Sequence, residues 1–472
     1  MSVSALPPRG NGSRRGRPAA RWLRPGIGIK RWLLLVFLGL LLIALAVAAL
    51  IRQIYRTTPS SEPAAQVVDV LTLQFLDPTL RIIVPIALGV VLLVIGMWRL
   101  MSVVLEPFRT GEEPLAELLY QRRWRARGPR IVAIGGGRGL SVLLRGLKEH
   151  TSNITAVVTV ADDGGSSGRL RRELGVPPMG DIRDCIAALA DAEPQMTKLL
   201  LYRFKQEAGA SGEAALPTAD ASAANGGVPA NGDFRGHAFG NLLITALTDI
   251  SGGDFEEGVR LSNRVLAVRG KVVPVAPVAL TLHAEYRDGT VLTGQEQIAH
   301  RAGINRVWLS PADVAPSPEA LNAIAEADLI VLGPGSLYTS IIPGLLLPEL
   351  HRALEQVAAP VVFICNVATQ VGETEGYALS DHVDALRRHG LLELVDGVLV
   401  NDNFHARAPH NYPAAPVRID VTSLAGGPRL LLRDIVDSAK AHHHDPHKLA
   451  AAVMTLDESR ELARRAARTP SR

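Results

Sequence analysis

The sequence predicts an α/β fold with a mostly parallel sheet, preceded by two transmembrane helices. Five apolar runs each break off into Gly, Asp, Asn or Ser: IVAIGGG (131–137), ITAVVTVADDGG (154–165), ADLIVLGPGS (327–336), PVVFICNVA (360–368) and VDGVLVND (395–402). Stretches of helical period, such as SVLLRGLKEH and PEALNAIAEA, lie between them. Strands covered by helices on both faces read as continuous apolar runs, and their carboxyl ends carry ligands. The third observation is a pair of uncharged runs ahead of this texture.

The first of these, Leu33 to Ile51, is 19 residues without a charge. At about 1.5 Å per residue it reaches about 28 Å, close to the ~30 Å hydrocarbon core of a bilayer. The second, Ile82 to Trp98, holds 17 uncharged residues and continues past Arg99 into LMSVVL, which extends the span to 104. Pro85 stands near its start, where a missing amide proton is tolerated. A secretory signal is the alternative for the first run. Its length, the lack of a small-residue cleavage site and the second span argue against that. Residues 1–32 carry eight Lys/Arg and no acid, while Arg52, Arg56 and Arg81 between the spans are matched by Glu62, Asp69 and Asp77. Seven arginines follow between Arg99 and Arg130. Positive charge stays on the cytoplasmic side. The expected order is a basic tail 1–32, spans 33–51 and 82–104 around an external loop 52–81, and a basic juxtamembrane linker 105–129. A cytoplasmic domain 130–455 and a charged tail 456–472 complete it.

Charge is divided accordingly. Residues 1–130 hold 18 Lys+Arg and 7 Asp+Glu, which leaves 32 and 39 of the totals of 50 and 46 for 131–472. The basic pI of about 9.2 belongs to the N-terminal segment. The α/β domain is mildly acidic, so no nucleic acid is expected as a partner. An aromatic share of 4% excludes a base-stacking surface along the chain. Cys185 and Cys365, the two cysteines, exclude a disulfide framework. The segment 209–233 is Ala, Gly, Ser, Pro and Asn with almost no large apolar residue, the composition of a disordered insertion.

The chemistry-bearing stretches sit where strands end. In IGGGRGLSVLLRGL, Gly135, Gly136, Gly137 and Gly139 form a strand–turn–helix anion site, with Arg138 adding charge. Close packing is the alternative use of such a turn. Leu140 fills the third glycine's place of a dinucleotide fingerprint, which weakens NAD. After the second strand, Asp162 and Asp163 precede a flexible small-residue loop, Gly164 to Gly168, in which Gly165, Ser166 and Ser167 offer amides and hydroxyls to phosphate and Arg169 a charge. Asp162 or Asp181 suits Mg²⁺; Asp181 also suits the cap of the helix DIRDCIAAL, which includes Arg183. His237 and Asn241 stand four apart, on one face if helical, and His237 joins Asp162 and Asp181 as a catalytic candidate. LGPGSLYTS supplies Gly333, Gly335, Ser336 and Thr339 for a second phosphate or sugar contact, and Asn366 and VNDN add amide groups. HHHDPH (442–447) invites a metal, but Asp445 as cap and Pro446 at the first helical position explain part of it.

Seven motifs in order, IGGGRGL, ADDGGSSGRLR, PPMGDIRDC, GHAFGNLL, LGPGSLYTSIIP, NVATQVGETEGY and VNDN, resemble the CofD-like gluconeogenesis factors (YvcK-like) from about Arg130 to Thr455. The resemblance implies a Rossmann-like fold similar to 2-phospho-L-lactate transferase. It implies a UDP-sugar ligand, UDP-N-acetylglucosamine above all, and a role in carbon metabolism, cell shape and cell-wall homeostasis. Related transferases move phospholactate onto a deazaflavin with a guanosine nucleotide donor and Mg²⁺. The chain departs from the family pattern at Arg138, where a small residue is common, at Asp184, where Asn is common, and at His443-His444-Asp445, which stands for Arg-His-Asp. The preferred expectation is a membrane-tethered, non-catalytic regulator binding a nucleotide sugar, with homo-oligomers and cell-wall-related proteins as partners. The alternative is a Mg²⁺-dependent phospholactate-transferase-like enzyme.

Overall fold

Continuous apolar runs need cover on both faces, and the central strands they form are buried throughout. The computed structural model describes Leu40 and residues 123–191, 193–204, 234–405, 413–421, 424 and 427–456. The expected tail 1–32, both spans apart from Leu40, the loop 52–81, the linker up to 122, the insertion 209–233 and the tail from 457 lie outside the described residues. Among the described residues no helix is long and apolar enough to cross a membrane. Two compact units divide the chain at Trp124 and Arg125, and the second, Arg125–Arg472, contains everything below.

Its main sheet has seven strands, and each pair of neighbours is parallel. They are β1 (Ile131–Gly135), β2 (Ile154–Val158), β3 (Lys271–Pro274), β7 (Leu329–Leu332), β8 (Val361–Ile364), β9 (Gly397–Asn401) and β10 (Arg429–Arg433), in the order β10-β9-β8-β7-β1-β2-β3. From β1 the chain builds outward through β2 to β3, then returns to place β7 on β1's other side. Ile131 therefore pairs with Ile154 on one flank and Leu329 on the other. Sheets of this kind bind ligands at the carboxyl ends of the strands where the order reverses, here between β1 and β7. Every residue of β1, β7, β8 and β9 is buried, whereas the edge strand β10 is open on much of its length. The α/β class and the parallel sheet are as the sequence predicts.

A second sheet was not marked in the sequence. β4 (Thr281–Tyr286), β5 (Val291–Thr293) and β6 (Ile304–Ser310) form an antiparallel sheet in the order β5-β4-β6. Leu282, Ala284 and Tyr286 are buried while Thr281, His283 and Glu285 between them are half-buried, the period-two signature of a one-sided sheet.

The described helices between β1 and β3 are α1 (Gly137–Leu147), α2 (Gly165–Leu174), α3 (Gly180–Leu189), α4 (Glu193–Leu200), α5 (Phe239–Ile250) and α6 (Phe255–Val265). Later come α7 (Gln295–Ile298), α8 (Pro318–Ala325), α9 (Pro348–Gln356) and α10 (Leu379–Arg388). The start of α2 corrects one expectation. Residues 165–168 are not a flexible loop but the first turn of a helix, with Gly164 extended at its N-cap. Asp445 does cap residues 446–456, accepting from the His447 and Lys448 amides at 2.8 and 2.9 Å.

Candidate functional site

The backbone at the end of β1 comes first. Gly136 is extended and Gly137 has φ +52°, a left-handed conformation that a side chain resists. A Cβ on Gly137 would stand 2.6 Å from Asp181 Oδ1, and one on Gly139 would stand 2.5 Å from Gly335 Cα. Only glycines let this turn rest on Asp181 and touch the turn after β7. That second turn is tied to β1 by the Gly333 amide, which donates to the Ile134 carbonyl at 2.8 Å. The two glycine turns therefore meet at the point where the strand order reverses.

Helix starts crowd the same place. The N-caps of α1, α2, α3 and α5 are Gly136, Gly164, Met179 and Ala238, and none gives a side-chain cap bond. By contrast, Asp254 caps α6 by accepting from the Glu257 amide at 3.0 Å. Uncapped amides carrying the positive end of the helix dipole are suited to an anion. Asp181 is not the cap of α3, the alternative raised by its sequence position. It lies in the first turn of the helix, beneath Gly136 and Gly137.

Two carboxyls lie under these amides. Asp162 accepts from the Gly164 amide at 3.0 Å, and its Oδ2 would be 2.8 Å from a Cβ on Gly180 at the start of α3. Burial raises its pKa, against the pull of the Gly164 amide and the Ser167 hydroxyl. Asp181 is pushed up to about 8, first by burial and then by the charges of Asp162 and Asp184, with Arg183 and the Thr159 hydroxyl opposing. Asp163 turns the other way, accepting from the Glu296 amide on α7 at 2.9 Å.

Ser166 is a hub rather than an open hydroxyl. Its Oγ lies 3.2 Å from His237 Nδ1 and receives bonds from the Ala238 amide at 3.2 Å and Asn241 Nδ2 at 3.1 Å. Asn241 Nδ2 also reaches Ser167 Oγ at 3.4 Å. His237 precedes α5 rather than standing on it, yet both it and Asn241 converge on Ser166. Arg183 donates to Asn241 Oδ1 at 3.0 Å and pairs with Asp184 at 2.8 Å, so the unusual Asp184 neutralises a buried arginine. Arg169 donates to the Arg235 carbonyl at 2.8 Å, and Arg138 is exposed beside the first glycine turn.

The second turn is braced from within. Asn366 accepts from the Gly335 amide at 3.3 Å and donates to its carbonyl at 2.8 Å. Ser336 donates to Gln370 at 2.8 Å, and Thr339 donates to Glu373 at 2.6 Å. Glu373 is wholly buried, accepts also from the Tyr338 amide at 3.2 Å and Gln370 at 3.3 Å, and is pushed up to about 7 by burial. It holds a π-helical turn, Leu337–Ile341, a form often found at functional sites. The side chains of Ser336, Thr339 and Asn366 thus hold the turn, and the Gly333 and Gly335 amides are bonded within the fold, to the Ile134 carbonyl and to Asn366.

Sequence reasoning named most of this cluster but missed Thr159, Gln370 and Glu373. The last two lie in NVATQVGETEGY, of which the sequence singles out Asn366 alone, and they form the brace with it. Asn401 of VNDN serves its own chain, donating to the Asn403 carbonyl at 2.8 Å and accepting from the Ile435 amide at 3.2 Å. The histidines of HHHDPH form no metal group, and no set of three or more His, Cys, Asp or Glu among the described residues is arranged to hold an ion. A separate cavity of about 530 Å³, lined by Thr155, Lys271, Glu319 and Glu326 among others, lies at the opposite, amino-terminal end of β2 and β3. Lys271 and Arg260 both pair with Glu319 there, so its charges are already matched.

Comparison with known proteins follows this geometry. Residues 131–434 match the family model described as 2-phospho-L-lactate transferase CofD. A gluconeogenesis factor of Bacillus subtilis is 43% identical over 335 residues, 70% of this chain and 98% of its own. A Nostoc sp. protein named for the same factor is 40% identical over 455 residues, 92% of this chain and 91% of its own. The crystal structure of a protein from Bacillus halodurans superposes with a TM-score of 0.60 at 40% identity, covering 70% of this chain and 100% of that one.

Proposed function

Because this chain belongs to the family of 2-phospho-L-lactate transferase CofD and the gluconeogenesis factors, we propose that it is a membrane-tethered regulator that binds a UDP-sugar of the UDP-N-acetylglucosamine class. The diphosphate rests on the two glycine turns, and bound ligand reports nucleotide-sugar supply to carbon metabolism, cell shape and cell-wall homeostasis. One observation carries the reading: two glycine turns meet at the switch point among four uncapped helix starts. A regulator needs this grip without turnover, since differential binding alone shifts a conformational equilibrium. Calorimetry of the full chain in detergent micelles against UDP-N-acetylglucosamine, GDP and NAD tests it. Saturable binding of the UDP-sugar in preference to the other two is expected, and a preference for GDP or NAD would overturn the base assignment.

The uncharged runs 33–51 and 82–104 support the tether, with the large domain cytoplasmic. The Nostoc relative also aligns with sequence that the shorter Bacillus subtilis relative lacks. Protease added outside intact spheroplasts should spare residues 131–472, and cleavage there would reverse the orientation. Homo-oligomers and cell-wall-related proteins are the partners proposed for such a regulator.

A transferase is the second reading, and the acid pair favours it. Asp162 and Asp181 are buried enough to repel each other and lose solvation, a strain that a divalent cation relieves. Two carboxylates beside a phosphate site fit Mg²⁺, which takes the rest of its ligands from phosphate and water. Asp162 and Asp181 would hold it, and the bound ion would neutralise charge on a transferred phosphoryl group. His237, packed against Ser166, orients the start of α5. The regulator reading expects no ligand consumption when deazaflavin and Mg²⁺ are added. Deazaflavin-dependent nucleotide release, abolished by Asp162→Ala, would promote the transferase.

A further inference from the structure

Cations gather on one rim of the cleft in a way the diphosphate grip leaves unused. Arg169, on α2, donates from Nη2 to the Arg235 carbonyl at 2.8 Å. Arg203, three residues past the end of α4, donates from Nη1 to the very next carbonyl, that of Gly236, at 3.0 Å. Neighbouring carbonyls draw the two guanidiniums onto one short turn, and the backbone bridge between Arg203 and Ala238 fixes Arg203 beside it. Arg183 reaches Asn241 a little further along the same segment.

The charges do not balance. Arg183 has Asp184, but among the described residues no carboxylate pairs with Arg169 or Arg203. Burial, followed by repulsion from Arg183, Arg138 and Arg169, lowers the pKa of Arg203 against the attraction of Asp184. Each guanidinium carries five N–H donors, and one carbonyl bond leaves most of that fork unused. Arg203 is exposed and Arg169 partly so, so a solute reaches both. Among the described residues Arg203 feels three neighbouring cations and one opposing acid, Asp184, and an anion accepting from two planar forks relieves that repulsion.

We propose that Arg169 and Arg203 form a second anion subsite, apart from the glycine turns, that takes a phosphate or carboxylate group. The subsite stands beside the nucleotide-sugar site and does not depend on it. The anion has two sources, a free small anion or an acidic group on the bound sugar, and the experiment separates them. Inorganic phosphate is titrated into the full chain, free and saturated with UDP-N-acetylglucosamine, at constant ionic strength. UDP-glucuronate is then compared with UDP-glucose. A free-anion subsite binds phosphate alongside UDP-N-acetylglucosamine. A sugar-borne anion instead makes UDP-glucuronate bind more tightly than UDP-glucose and displace phosphate. In either case Arg203→Gln and Arg169→Gln weaken the anion-dependent signal about fivefold more than they weaken UDP-N-acetylglucosamine, and Arg203→Lys restores part of it. Failure of UDP-N-acetylglucosamine to bind would strike the nucleotide-sugar reading alone, since the phosphate titration of the free chain still reads the subsite. The subsite is overturned if phosphate binds wild type and both variants alike, or if both variants lose UDP-N-acetylglucosamine as much as they lose phosphate.

Discussion

The two glycine turns that meet at the switch point share a residue type and differ in what lies beneath them. Under the β1 turn is Asp181, partly open to the cleft and pushed up to about 8 by burial and by two neighbouring acids. Under the β7 turn is Glu373, closed off from solvent and occupied by Thr339, Gln370 and the Tyr338 amide. One carboxyl is crowded by other acids and held protonated by burial, and the other is satisfied by hydrogen bonds within the fold. The difference teaches that the two turns are supported differently; on the proposed reading, ligand chemistry acts at the first and the second is the wall it acts against.

The sharpest way to break this contrast is Glu373→Ala. It leaves a buried hydroxyl and a buried amide without their acceptor, which should cost about 3 kcal/mol and lower the melting temperature well below wild type. Glu373→Gln keeps an acceptor oxygen and should recover at least half of that loss. Equal melting of Ala variant and wild type would show that the brace does not hold the turn. Next is Gly137→Val, which forces a side chain into a left-handed position against Asp181. UDP-N-acetylglucosamine affinity should fall at least about tenfold, or about 1.4 kcal/mol, in a variant whose circular dichroism is unchanged.

A pH series sharpens the comparison further. Asp181 and Glu373 are both raised in the folded chain, to about 8 and about 7, so the folded state binds more protons than the unfolded state above the ordinary carboxylate range. Their contribution is fully present below their unfolded pKa values and is lost as pH rises through the folded ones. The ligand-free chain should melt progressively lower from about pH 4 to about pH 8. Asp181→Asn should flatten the upper part of that decline, and a slope identical to wild type would remove Asp181 as its source. The smallest effect is expected from Ser336→Ala, which loses one neutral bond to Gln370 at about 1 kcal/mol of stability and about a twofold change in ligand affinity.

Much of the sheet was legible because apolar runs ending in Gly, Asp or Asn have few other uses. The β4–β6 sheet was less so. Its alternation in TLHAEY is short, and half-buried strands carry a weaker signal than fully buried ones. At the site, glycines and acids announced themselves by position after strands. Gly164 to Gly168 misled, because a glycine-rich helix start looks like a loop until its amides are seen to continue into α2. Glu373 gave little local sign of its role, since Thr339 and the Tyr338 amide, two of its three partners, lie 34 and 35 residues away. Arg203 was hidden for a related reason: its significance depends on a carbonyl beyond the 209–233 insertion.

Amide hydrogen exchange on the full chain, with and without saturating UDP-N-acetylglucosamine, tests the division of labour most directly. Protection should rise at Gly135–Ser141 and at the starts of α2 and α3, with Gly333–Gly335 following. The segment Leu337–Ile341 should be slow already in the free chain, and the cavity lined by Thr155 and Glu319 should not respond. Protection confined to that cavity, or a π-helical turn that exchanges freely until ligand arrives, would contradict the account.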